Sequence, residues 1–153
     1  MAKVQWKPGT LVYPVPAVMV SCGEAPERCN IITVAWTGTI CSDPPMTYIS
    51  LKPQRYSYGI IRDSGEFVIN LTTEDTAAPV NIECRVRDII ELGSHHMFIA
   101  QVVSVSVDER YIDKSGRFNF ERCRPVCYSH GQYCGLKKPL GNFGFSVSKR
   151  RNR

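Results

Sequence analysis

The clearest periodicity in the chain lies at 80–87. Val80, Ile82, Cys84 and Val86 alternate with Asn81, Glu83, Arg85 and Arg87. Successive strand side chains point to opposite faces, so this pattern predicts one buried and one wet face, with antiparallel neighbours. The stretch 97–107 reads as a long strand whose second half alternates again, with Val103, Val105 and Val107 set against Ser104 and Ser106. Apolar, β-branched runs predict further strands at 17–21, 30–36, 46–51 and 66–71. Only 58–62 reads as helix, with Ser57 at its N-cap and Ser64-Gly65 as its stop. Six strands and one short helix predict a mostly β, antiparallel barrel or sandwich, since closure removes exposed edges.

The turns between these runs carry the candidate chemistry. After the 30–36 strand comes a small polar corner, Thr37-Gly38-Thr39, then Cys41-Ser42 and a stiff Asp43-Pro44-Pro45. The glycine allows close backbone approach, and the flanking hydroxyls suit the edge of a heteroaromatic ring; a plain strand-to-turn corner has the same composition. Trp36 reads either as a ring wall or as core. The 46–51 strand ends in a cationic segment with Lys52, Arg55 and Ser57 at a helix start. Unpaired first-turn N–H groups, a hydroxyl and a guanidinium fork make an anion site there. Alone, such a segment is more often a simple N-cap beside an exposed arginine.

Two histidine-bearing stretches stand out. Gly93-Ser94-His95-His96 precedes a strand, where adjacent histidines face opposite ways and cannot both line one site. Cys123, Cys127, His130 and Cys134 invite a zinc reading, but their spacing fits none of the usual paired-cysteine knuckles. If 126–134 is one strand, Cys127 and His130 diverge, so buried thiols are the expectation and no metal is assigned.

Composition narrows the classes. The chain has 153 residues, a size suited to one domain with one core. Net charge is +5, yet Lys137, Lys138, Lys149, Arg150, Arg151 and Arg153 lie where no acidic residue occurs, so the first 136 residues are close to neutral. The excess is a basic tail at 148–153, and no basic-aromatic motif accompanies it, so no nucleic-acid partner is expected. Seven cysteines, an odd number without a leader-like start, favour free thiols in a reducing cytoplasm. No uncharged run is long enough to span a bilayer as a helix, so no membrane partner is expected. G-x-G-x-x-G, the P-loop lysine motif and the G-x-S-x-G elbow are all absent from the sequence.

Taken in order, five pieces resemble one family. They are Asn30…Thr33-Val34…Thr39…Cys41-Ser42-Asp43-Pro44-Pro45; Arg55-Tyr56-Ser57; Gly65-Glu66-Phe67-Val68-Ile69-Asn70-Leu71; Gly93-Ser94-His95 with Ala100 and Val102; and Tyr128-Ser129-His130-Gly131-Gln132-Tyr133. Over about residues 10 to 147 the chain resembles the flavin reductase-like, FMN-binding split-barrel family, nearest its flavoredoxin-like branch. The resemblance implies a six-stranded antiparallel split β-barrel with one or two short helices, usually a homodimer with the flavin near the interface. It implies that Trp36, Thr37, Gly38 and Thr39, with Cys41 and Ser42, lie along the isoalloxazine. It also implies that Arg55 and Ser57 take the phosphate, that Asn70 belongs to the cofactor site, and that His95 acts near the nicotinamide flanked by 128–133.

Two departures accompany the resemblance. Ser94 stands where the family's Gly-Asp-His motif has aspartate. The link at 73–80 is short where the family has a helical excursion; it is either naturally short or lacks a segment.

The leading expectation is an oxidoreductase using FMN, or FAD, that passes hydride from NADH or NADPH through flavin N5 to an unidentified acceptor. An FMN-bound electron carrier without a nicotinamide site is the alternative, and a flavin-free module the third. The first two require the Gly38 corner and the Ser57 helix start to converge.

Overall fold

The computed structural model describes residues 1–141 and 143; the basic tail at 148–153 lies outside them. Ten strands and one α-helix follow in order: β1 (Val15–Pro16), β2 (Val18–Cys22), β3 (Asn30–Val34), β4 (Thr37–Ser42), β5 (Pro45–Leu51), α1 (Tyr56–Ser64), β6 (Glu66–Leu71), β7 (Val80–Glu91), β8 (His96–Val107), β9 (Val126–Ser129) and β10 (Gln132–Gly135). Seven strands form one antiparallel sheet in the order β3-β2-β6-β7-β8-β5-β4, and β1-β9-β10 form a second. The edge strands β3 and β4 of the large sheet are consecutive and joined by only Ala35 and Trp36. Its two edges must therefore meet, and the Ser50 N–H to Trp36 O bond of 2.8 Å ties that junction to β5. This is the mostly β, antiparallel barrel expected, with seven strands in its wall rather than six.

The inward positions of the alternating strands make the core. Val18 and Val20 of β2, Ile49 of β5, Phe67 and Ile69 of β6 and Phe98 of β8 are buried together with Ile61 of the helix. The helix closes one side and ends as expected at Gly65, whose φ of 71° only glycine adopts cheaply. Its start differs from the expectation. Arg55 is the N-cap, without a side-chain cap bond, and Ser57 sits inside the first turn. The Arg55 N–H bonds Lys52 O at 3.0 Å, and this turn starts the helix two residues earlier than serine-cap chemistry suggests.

Three other expectations are corrected. Thr37-Gly38-Thr39 is not a corner but the first half of β4, paired with Ile49, Tyr48 and Thr47. The stretch 126–134 is not one strand but the hairpin β9–β10, turning at His130 (φ 47°) and Gly131 (φ 84°). Val103 and Val105 alternate as predicted but are 50% and 54% exposed, because β5 pairs with β8 only as far as Gln101. The β6–β7 link is a tight turn, with the Thr73 N–H on Ala77 O and the Glu74 N–H on Arg124 O.

Candidate functional site

Strand register builds a cleft at one end of the barrel. In the β5–β8 ladder Leu51 faces His96, so the residues just outside it, Lys52 and His95, come to the same end. In the β4–β5 ladder Thr37 faces Ile49, which sets Trp36 beside Ser50. The Lys52–Arg55 turn adds the helix N-cap to that end. The small sheet supplies the last wall through Tyr128 of β9 and Tyr133 of β10, which are cross-strand partners. The resulting cleft of about 320 Å³ is lined by Ile32, Thr33, Val34, Ala35, Trp36, Ser50, Leu51, Lys52, Arg55, His95, Tyr128 and Tyr133.

Its chemistry is cationic on one side and aromatic on the other. Trp36 and His95 lie nearly parallel, 15° between planes, with centroids 6.3 Å apart. Trp36 and Tyr128 are 6.2 Å apart at 54°. None of the five ion pairs among the described residues involves Lys52 or Arg55. Partial desolvation and the nearby Lys52 and Arg55 cations hold the His95 imidazole below its ordinary pKa. Ser94 Oγ lies 3.0 Å from His95 Nδ1. The adjacent histidine turns away as alternation requires, with His96 Nδ1 2.8 Å from the Tyr58 hydroxyl.

The residues singled out in the sequence separate into groups. Trp36, Arg55 and His95 line the cleft. Ser57 is fully buried behind it, its Oγ accepting from Asn30 Nδ2 at 2.7 Å. Thr37 is buried too, and its hydroxyl donates to Tyr48 O at 2.7 Å. Gly38 O accepts from the Thr47 hydroxyl, and a Cβ there would come within 3.2 Å of the Tyr48 ring; neither Gly38 nor Ser57 lines the cleft, and the two segments meet there only through Trp36 and Arg55. Thr39, Cys41 and Ser42 continue along β4, with Cys41 Sγ 3.4 Å from Asp43 O, and do not line the cleft. Asn70 lies elsewhere in the sheet. Its Nδ2 donates to Met19 O at 2.9 Å and Ser21 Oγ at 3.1 Å, and its Oδ1 accepts from Asn81 at 2.6 Å.

Sequence reasoning did not single out Lys52 as a site residue, although it lies in the cationic segment, nor Tyr13, which packs behind Trp36 with centroids 6.4 Å apart. No periodicity marks Tyr13, because it sits in a proline-rich arm. Of the thiols expected to be buried, Cys123 and Cys127 are, whereas Cys134 is exposed, as is Cys29. Burial raises Cys22, and it pushes Cys84 up to about 12. Among the described residues no group of three or more histidine, cysteine or acidic side chains comes together to hold a metal. No helix among them is long and apolar enough to cross a membrane.

Comparison with known proteins agrees with this architecture. The solved structure of flavoredoxin from Methanosarcina acetivorans superposes with a TM-score of 0.85 at 16% identity, covering 97% of this chain and all of that one. The reductase component of an FADH(2)-dependent resorcinol hydroxylase from Rhizobium sp. is 22% identical over 157 residues, covering 81% of this chain and 80% of that protein. An uncharacterized protein of Aeropyrum pernix is 23% identical over 156 residues, covering 77% of this chain, and the chain spans only 58% of its length. The family model described as "Flavin reductase like domain" matches residues 10–81 and 76–137, two stretches that meet at the short β6–β7 link. With all ten described strands inside those matches, the chain belongs to the flavin reductase-like family of split-barrel flavoproteins.

Proposed function

We propose that the cleft between Trp36 and Arg55 holds FMN, and that the protein is an oxidoreductase drawing electrons from NADH or NADPH. The observation that carries this reading is the pairing of two cations, in no ion pair among the described residues, with an aromatic wall in one cleft. A phosphate-bearing planar ring system is complementary to both halves. Lys52 and Arg55 would hold the phosphate at the helix start, and Trp36 and Tyr128 would flank the ring. His95, whose imidazole is held below its ordinary pKa by desolvation and its cationic neighbours, would donate or accept a hydrogen bond. Bound flavin supplies the hydride chemistry at N5; the chain supplies orientation and exclusion of water. FAD would place the same phosphate at the same cations and extend out of the open side.

A homodimer that completes the open cleft, in the cytoplasm, fits this reading, as does delivery of electrons to a separate acceptor. The Rhizobium relative, the reductase component of an FADH(2)-dependent hydroxylase, supports such a partnership. The Ser94–His95 contact favours a second reading, because it occupies the imidazole nitrogen with a neutral hydroxyl where the family's motif has an aspartate. Under that reading the protein is an FMN-bound electron carrier with no nicotinamide site. Anaerobic mixing of the flavin-loaded protein with NADH and, separately, NADPH decides between them. Rapid bleaching of the flavin band supports the reductase, and a persistent yellow colour supports the carrier. A preparation that takes up no flavin removes both.

A further inference from the structure

We propose that Tyr13 is a positioning residue which, with His130, latches the small sheet against Trp36 and so sets the separation of the cleft's two aromatic walls. Tyr13 is absent from the cleft lining, yet its ring packs against two residues that line it, Trp36 and Tyr128, and against His130. It lies 6.4 Å from Trp36 at 69° and 6.0 Å from Tyr128 at 62°, both edge-to-face. Its ring centroid is 4.8 Å from that of His130. Trp36 belongs to the seven-stranded barrel and Tyr128 to the three-stranded sheet. Tyr13 is the wedge between them, and β1 begins two residues later with Val15 opposite Tyr128.

The His130 turn gives independent support. Ser129 faces Gln132, so the β9–β10 loop has two residues, and both take left-handed φ values of 47° and 84°. Such a loop favours asparagine before glycine; histidine is among the other residues enriched at left-handed φ, and this turn sets its ring against Tyr13. The imidazole is exposed and reaches no hydrogen-bond partner among the described residues. Its gain is the contact with Tyr13. Edge-to-face and tilted aromatic contacts at these separations are attractive and directional, so they fix angle as well as distance.

The inference rests on the flavin reading for the identity of the ligand, but not for the latch itself. Trp36 and Trp6 are the only tryptophans, and Trp6 is 72% exposed in the N-terminal arm. In a Trp6→Phe background, emission therefore reports Trp36 alone. Tyr13→Leu should shift the flavin-free emission to longer wavelength and raise the dissociation constant for FMN about tenfold, the loss of two or three aromatic contacts. Tyr13→Phe should restore both, because the ring and not the hydroxyl makes the contacts. His130→Asn, which suits the turn and folds on surface grounds, should give a smaller shift in each. Unchanged emission and FMN affinity in both Tyr13→Leu and His130→Asn overturn the latch while leaving the flavin reading in place. An emission shift in Tyr13→Leu that Tyr13→Phe reverses, with no FMN uptake even by the parent, supports the latch and overturns the flavin reading instead.

Discussion

At the barrel end, Lys52 and Arg55 line an open cleft and join none of the ion pairs among the described residues. In the middle of the sheet, Asn70 donates to Met19 and Ser21 and accepts from Asn81, so strand neighbours meet its amide on both ends. Both regions are polar, and Arg55 of the one and Asn70 of the other were both expected as cofactor contacts. The contrast teaches that residue type nominates a site but residual hydrogen-bonding capacity decides one. A half-buried polar group that its neighbours already satisfy contributes to stability. A cation left without a partner beside aromatic rings is available to a ligand.

That contrast can be broken by exchanging the expected effects. Arg55→Ala should weaken FMN binding by about 1.5–3 kcal/mol, the scale of a charged hydrogen bond, with little change in urea midpoint. Titration calorimetry measures it, and an unchanged affinity removes Arg55 from the site. Asn70→Ala should do the opposite. Loss of its internal bonds should cost about 1–3 kcal/mol of unfolding free energy while FMN affinity is retained. Should Asn70→Ala abolish flavin binding in a protein that still melts normally, the assignment of Asn70 to the scaffold fails.

Gly38→Ala sharpens the comparison at lower amplitude. The new methyl would meet the Tyr48 ring at 3.2 Å, and yielding of that ring should limit the cost to about 1 kcal/mol. Chemical denaturation checks it. If Gly38 instead borders the flavin, affinity falls more than stability does.

The smallest effect is a pH dependence. His95 binds its proton less readily in the folded protein than in the unfolded chain, because of desolvation and the Lys52 and Arg55 charges. Below the ordinary imidazole value the unfolded state therefore holds more protons, and stability is lost as pH falls from about 6.5 toward the lowered folded value. His95→Gln should flatten that part of the stability profile. Equal slopes in wild type and variant would show that Lys52 and Arg55 do not act on this imidazole.

Much of this was legible in the sequence for physical reasons. The alternation at 80–87 and the apolar runs at 46–51 and 66–71 marked strands because one face of each had to be buried. Arg55 and His95 were named through the ordered resemblance, and the structure brings both to one cleft. The failures share a cause. Thr37-Gly38-Thr39 has turn composition, yet pairing with β5 overrides it, since strand preference depends on neighbours. Ser57 has cap chemistry, but the Lys52–Arg55 turn starts the helix earlier and buries its hydroxyl against Asn30. Val103 and Val105 keep the right period, but the neighbouring strand stops short of them. Tyr13 could not be found at all, because its role exists only where two sheets meet.

Adding FMN to the flavin-free protein while following flavin fluorescence tests the central claim most directly. Stacking against Trp36 and Tyr128 should quench the emission to a saturating, stoichiometric end point. A flavin that stays as bright as it is in buffer, at protein concentrations well above micromolar, would contradict the account.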